Sequence, residues 1–271
     1  MYLKINHTTA YSYSEPVFLE PHYLYLYPSQ KAHQKTLSFS LNIFPQPAGV
    51  TLKQDPENNI YKQCWFNELV SNLTIELELE MISDTYNPFD FFMEKWPDRL
   101  HPALEPYLKT EALDTEIQNW INGISIDGKK EPIEYLSWLN RETNKEFEHE
   151  IRYEETLHSP QECFRLKKGS CRDLSWMLIH VLRNQGIPAR FISGYAFNPE
   201  LEEGHELHAW LEAWLPGAGW IGIDPSAGIF INEQYIPLAE SFHPENTLPV
   251  QGKYRGDAQS KLHTAVHIEE V

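Results

Sequence analysis

Over residues 70–84 the chain alternates without interruption: Leu73, Ile75, Leu77, Leu79 and Met81 are separated by Thr74, Glu76, Glu78 and Glu80. A period of two is the signature of a half-buried β-strand, with its apolar side on a core and its glutamates in water. Residues 23–27 (Tyr-Leu-Tyr-Leu-Tyr), ended by Pro28, and residues 36–43, ended by Pro45, read the same way. Between these runs lie the turn clusters Pro45-Gln-Pro-Ala-Gly49 and Asp55-Pro-Glu-Asn-Asn59, rich in residues that preset or tolerate turn conformations. Short strands separated by such signals predict an antiparallel β-sandwich over residues 1–88.

Beyond Asn87-Pro88 the texture changes. Ile117, Trp120 and Ile121 follow an Asp114-Thr115 start, and Pro132 stands in the first turn of a run carrying Ile133, Leu136, Trp138 and Leu139. Residues 89–140 therefore read as a helical lead-in. From Cys171 to Gln185, the residues Leu174, Leu178, Val181 and Leu182 share one helical face, and Gly186 with Pro188 ends the helix. Strands follow at residues 187–195, 208–215 and 220–224, the first two separated by an acidic loop at 200–206. A helix feeding an antiparallel sheet is an α+β layer. The expected architecture is α+β: an antiparallel β-sandwich (1–88), then a unit (89–271) whose core packs a helix on an antiparallel sheet.

Composition narrows the function. With 22 Lys+Arg against 39 Asp+Glu, the 271-residue chain carries −17 at neutral pH. That charge repels nucleic acid and anionic membrane, so neither is expected as a partner. Mean hydropathy is −0.49, and no apolar run reaches the ~18 residues of a membrane span. The opening residues alternate polar and apolar without the apolar stretch of a signal peptide, so a cytoplasmic location is expected. Cys64, Cys163 and Cys171 are an odd number with no C-x-x-C pair, which speaks against a disulfide framework or a zinc or redox pair. Each is a small buried hydrophobe or a working thiol.

Cys171 has the best setting for a thiolate. It stands at a helix start, where unpaired N–H groups and the helix dipole favour negative charge. Residues 163–190 also hold six basic residues (Arg165, Lys167, Lys168, Arg172, Arg183 and Arg190) against one acid, Asp173. His208 opens a strand, and Asp224 ends the next, so a hairpin would put the carboxylate beside the imidazole in the order nucleophile, base, orienter. Each residue also has a structural reading. Free cysteine is commonly buried, a strand-start histidine commonly sits on a rim, and an Asp before Pro commonly forms a turn. Spacing alone leaves the two readings level. His205 and His208, with Cys171 or Glu206, lack the geometry and the fourth ligand of a metal site, so no metal is expected. There is no phosphate loop, G-x-S-x-G elbow or H-E-x-x-H. Arg172 and Asp173 read as first-turn helix charges or as positioning groups, and Trp176, Trp210, Trp214 and Trp220 as core.

Gly169-Ser-Cys-Arg-Asp173, Gly186-Ile-Pro-Ala-Arg190, Ser193-Gly-Tyr195, His208-Ala-Trp210 and Trp220-Ile-Gly-Ile-Asp-Pro225 together resemble the bacterial transglutaminase-like superfamily. Its bacterial members include candidate cysteine proteases and amidases with a papain-like core. The resemblance covers roughly residues 140–260, and the first 90 residues look like the β-sandwich that commonly precedes this core, Tyr11-Ser-Tyr-Ser-Glu-Pro-Val17 among them. It implies Cys171 as nucleophile, His208 as general base and acid, Asp224 as orienter, and no cofactor. The expected function is thiol-dependent acyl transfer on an amide, peptide or protein substrate, in the manner of a cysteine protease or amidase. The alternatives are a protein-glutamine transglutaminase and a non-catalytic binding scaffold. Where members often carry Gly-Arg-Asp, this chain has Ile231-Asn-Glu-Gln-Tyr235, a departure on the substrate side.

Overall fold

The computed structural model describes residues 1–122, 132–152, 156–200 and 205–271. Most of the acidic loop expected at 200–206 lies outside the described residues.

Six strands come first: β1 (Tyr2–Leu19), β2 (His22–Leu24), β3 (Gln34–Phe44), β4 (Gly49–Gln54), β5 (Ile60–Trp65) and β6 (Leu69–Ser83). β6 is the strand with the unbroken alternation. Leu73, Ile75, Leu77, Leu79 and Met81 are buried and Glu76 and Glu78 exposed, and it pairs antiparallel with β1 on one side and β3 on the other. Leu24 from β2 and Cys64 from β5 join Leu3, Ile5, Leu73 and Leu77 in one core, so two sheets share a hydrophobic interior as the turn pattern predicted. The strand expected at 23–27 ends at Leu24, and Tyr25 beyond it stacks on Tyr61 with ring centroids 4.9 Å apart.

The helical lead-in is sparser than expected. Before residue 115 it holds only a 3-10 segment, Pro102–Leu108, in a stretch where Pro97, Pro102 and Pro106 remove helix donors. α1 (Thr115–Asn122) and α2 (Pro132–Glu146) follow. Next come β7 (Glu148–His149), α3 (Pro160–Leu166) and β8 (Lys168–Gly169), with the two short strands paired in parallel across the helix. α4 (Cys171–Asn184) then buries Leu174, Leu178, Val181 and Leu182, the face read from the sequence.

The remaining strands are β9 (Ala189–Ala196), β10 (Leu207–Leu215), β11 (Gly219–Asp224), β12 (Ile229–Phe230) and β13 (Tyr235–Ser241). They form an antiparallel sheet in the order β12-β11-β10-β9-β13. α4 packs on it through Leu174, Met177, Leu178 and Val181 against Phe191, Leu211, Ala213 and Ile223. This is the expected α+β layer.

The chain does not finish in that unit. β14 (Val250–Gln251) pairs with β2, β15 (Tyr254–Arg255) with β1, and β16 (Ser260–Glu270) with β1 from Leu3↔Glu270 to Tyr13↔Ser260. The division expected after residue 88 gave this return to the second unit; its strands complete the first. Tyr195, Phe197, Ile236 and Leu238 of β9, its end and β13 also lie in the same core as Leu3, Ile5 and Val266. Among the described residues, no helix is long and apolar enough to cross a membrane.

A buried charge cluster fastens the two halves. Arg190 of β9 donates to Glu212 of β10 (Nε–Oε2 2.8 Å) and pairs with Glu240 of β13 (3.0 Å). Lys31, from the loop before β3, reaches both carboxylates at 3.1 Å. Burial pushes the Glu212 carboxyl up, but Arg190 and Lys31 outweigh it and hold it at about 2. Its contribution to stability is therefore present above the usual carboxyl range and lost as pH falls from ~4.5 toward 2. Glu212→Gln leaves a buried Arg190 and a half-buried Lys31 with one carboxylate between them. The expected loss is on the order of 3 kcal/mol, read as a drop of ~6–12 °C in Tm at pH 7 that shrinks as pH falls toward 2. An unchanged Tm at pH 7 would show that the cluster is not a fastening.

Candidate active site

The site begins with how α4 starts. Ser170 is its N-cap in an extended conformation, and its hydroxyl accepts the Asp173 N–H. The Asp173 carboxylate accepts from the Ser170 N–H (2.9 Å) and Oγ (2.6 Å), Arg152 Nη1 (2.7 Å) and the His158 N–H (2.8 Å). Asp173 is thus a fully buried cap that joins the α4 start to the segment before α3. A Cβ on Gly169 would lie 2.8 Å from Asp173 Cβ and 3.3 Å from Cys163 Sγ, so only glycine lets the chain enter the helix this closely. Cys171, the first helical residue, is thereby held at a fixed point, partly exposed.

The predicted hairpin is present: β10 and β11 pair antiparallel, and His208 Nε2 donates to Asp224 Oδ2 at 2.6 Å. Tyr235 Oη, from the first position of β13, donates to the same oxygen at 2.8 Å. Oδ1 takes Ser226 Oγ (2.6 Å) and the N–H groups of Ser226 (2.9 Å) and Ala227 (3.2 Å). One oxygen of Asp224 thus accepts from the turn at Ser226 and Ala227, and the other faces the imidazole. Burial pushes this carboxyl up, but His208, Ser226 and Tyr235 hold it at about 2. For His208 burial favours the neutral ring, yet Asp224 and Cys171 keep the imidazole charged well above its ordinary range.

With Nε2 on Asp224, the other ring nitrogen of His208 is the one that serves Cys171. The groups that favour the ionised sulfur are the side chains of His208 and His149 and the Ala209 N–H. Burial alone would push the thiol up; the His208 charge and these donors bring it down to about 6. Cys64 and Cys163 are fully buried, and desolvation pushes them up to about 11 and about 12. The structure therefore brings Cys171, His208 and Asp224 together, and it adds His149 and Tyr235.

The basic stretch around Cys171 acts differently from the sequence reading. Lys167 lies 3.8 Å over the Phe164 ring, Lys168 pairs with Glu150, Arg183 donates to the carbonyls of Ala189, Lys109 and Phe242, and Arg190 belongs to the buried cluster. Imidazoles and one backbone N–H set the thiol instead. His149 escaped notice because it stands 22 positions before the cysteine on a strand of two residues, too short for a periodic signal. Tyr235 was visible only as the end of the departing segment.

His205 is elsewhere, stacked on Phe197 with Nε2 toward the Asn198 carbonyl. The tryptophans pack: Trp210 is buried, Trp176 meets His180 edge-on, Trp214 meets Trp96, and Trp220 lies under the Arg190 guanidinium at 4.2 Å.

Residues 3–81 match the bacterial transglutaminase-like N-terminal region, and residues 120–225 match the transglutaminase-like superfamily. The fold superposes with a TM-score of 0.76 on the crystal structure of a candidate cysteine protease from Cytophaga hutchinsonii, covering 100% of this chain and 91% of that one at 18% identity. An uncharacterized protein of Mycobacterium leprae is 34% identical over 108 residues, and the match spans 37% of each chain. A protein-glutamine gamma-glutamyltransferase of Pseudomonas aeruginosa is 37% identical over 70 residues, 23% of this chain and 10% of that protein.

The thiols give a direct check. Iodoacetamide should alkylate Cys171 selectively in the native protein, with a rate that rises through a midpoint near pH 6 as the thiolate forms. At one unit below the midpoint the rate should be about a tenth of its plateau. Cys64 and Cys163 should react only after unfolding. Equal labelling of the three would mean that Cys171 is not an activated thiol.

Proposed function

The chain belongs to the transglutaminase-like superfamily, and from that premise we propose that it is a thiol-dependent acyl-transfer enzyme that cleaves amide or peptide bonds. The observation that carries this reading is the bond between His208 and the buried Asp224, with the imidazole charge acting on the Cys171 thiol.

Cys171 Sγ, as thiolate, attacks the amide carbonyl carbon, and the carbonyl π electrons move to oxygen. The backbone N–H of Cys171, at the first turn of α4, has no acceptor inside the helix and can donate to that oxyanion. The His208 imidazolium gives its Cys171-side proton to the departing nitrogen. The C–N bond breaks, the amine leaves, and a thioester remains on Cys171. Water then attacks the thioester carbon while neutral His208 takes its proton, the C–S bond breaks, and thiolate and imidazolium are restored with a carboxylic acid as product. Asp224 stays ionised throughout and holds the tautomer that presents the other ring nitrogen to sulfur. A primary amine in place of water would give a transamidated product from the same thioester. The P. aeruginosa relative bears the name of that activity; hydrolysis is the leading reading because the described residues supply the elements it needs, Cys171, His208 and Asp224.

Turnover of a peptide and glutamine-amide library, read by mass spectrometry with and without a primary amine, tests both. Expected are hydrolysis products, an acyl adduct on Cys171 after acid quench, and losses of at least ~10³-fold for Cys171→Ala and His208→Ala. Amine incorporation outpacing hydrolysis would replace the protease reading with the transglutaminase one. Undiminished turnover in Cys171→Ala would overturn both.

A further inference from the structure

Cys171 has two imidazole neighbours, and the acyl-transfer scheme uses one. His149 acts on the thiol from a different element, β7, and favours its ionised form. It lies on β7, which is fixed beside the α4 entry by a short parallel ladder: His149 is registered with Gly169, and Glu148 N–H and Glu150 N–H donate to the carbonyls of Lys167 (2.8 Å) and Gly169 (3.0 Å). The residue it is registered with stands two positions before the nucleophile. Gly169 is itself packed against Asp173, so the helix cap and the ladder locate the cysteine and His149 together. The side chain of His208 is 19% exposed and backed by Asp224, whereas His149 is an exposed residue. The sulfur thus has an interior imidazole and a solvent-side one.

We propose that His149 is a second functional imidazole of the reaction centre, one that donates a hydrogen bond to the Cys171 sulfur and, when protonated, pairs with its negative charge from the exposed β7 strand. The proposal rests on the reading of Cys171 as the reactive thiolate.

The charges facing His149 can be named. Cys171 from α4 favours its protonated form through the hydrogen bond, partial burial opposes it, and of the more distant groups His208 on β10 disfavours it while Asp224 on β11 favours it. On its own strand and just beyond stand Glu148 and Glu150, the latter tied to Lys168 of β8 at 2.8 Å. From the end of α2, Glu146 is tied to Lys167. The net result is an imidazole held above its ordinary range. His149 is therefore cationic where the thiolate first forms and loses its charge as pH rises. Below that point the thiolate faces two cations, and above it His208 alone.

The test is the pH dependence of Cys171 alkylation in wild type, His149→Ala, His149→Gln and His208→Ala, with His149 titrated by NMR in wild type and Cys171→Ala. Removing His149 should move the labelling midpoint up by about one unit, the effect of losing one nearby opposite charge. His149→Gln, which keeps a donor but no charge, should fall between Ala and wild type. The His149 resonance should titrate at lower pH in Cys171→Ala, once the thiolate is gone. A midpoint unmoved in both His149 variants, with His208→Ala still raising it, overturns the role of His149 and leaves the Cys171–His208–Asp224 reading standing. A wild-type Cys171 that labels like a free thiol overturns that reading and this proposal with it.

Discussion

A carboxylate with no solvent exposure is the element around which the site is arranged. Taking such an anion out of water costs several kcal/mol unless its lone pairs are met by donors in good geometry. Asp224 meets five: the His208 ring, the Tyr235 hydroxyl, the Ser226 hydroxyl, and the N–H groups of Ser226 and Ala227. They come from β10, β13 and the turn after β11, so satisfying one anion fixes the relative placement of three parts of the sheet. A slip of one residue in β10 would turn His208 to the other face and leave the carboxylate short of its only charged donor among the five. Register and chemistry are therefore specified by the same interaction.

Four strong cations of the described residues have their partners at other places than the sulfur. Arg190 and Lys31 neutralise Glu212 and Glu240 between the two halves, Arg183 satisfies three carbonyls, and Arg152 caps α4 through Asp173. The side chains that favour the thiolate are imidazoles, whose charge changes near neutral pH. A permanent guanidinium beside Cys171 would stabilise the thiolate as well, but it would have no proton to give to a departing amine. The charge of +5 counted over residues 163–190 is real in the sequence; its electrostatic work lies in packing and capping.

What was legible before the structure was whatever has a period or a cap. The alternation in β6, the apolar face of α4, the Gly186 stop, and the hairpin joining His208 to Asp224 are each encoded within a short window. What escaped has no such signature. β7 and β8 are two residues each and are specified by a parallel pairing across α3; β16 pairs with β1 across almost the whole chain, and its apolar face is only Val266 and Ile268. The seven residues of α3 carry too little periodicity to announce a helix, although the Ser159 cap and the left-handed Lys167 that closes it mark both ends. For the strands the missing information was long-range pairing, which a window of sequence cannot hold.

That long-range pairing also explains why the N-terminal strands belong to the site rather than beside it. His208 is registered across from Gly194 on β9, and a Cβ there would lie 2.2 Å from the Ile236 carbonyl oxygen and 2.7 Å from Trp210 Cη2. β13 and β10 therefore close on β9 at the level of the histidine, with no room for a side chain. The next residue, Tyr195, points into the core that contains Leu3, Ile5 and Val266 and bonds His7 of β1 at 2.8 Å. From the imidazole to the first strand there are two steps of close packing, and packed interiors transmit displacement because they have no free volume to absorb it. Loss of β16 would expose the far wall of that core, and the cost would be borne at the β9–β10 register that holds His208 on Asp224.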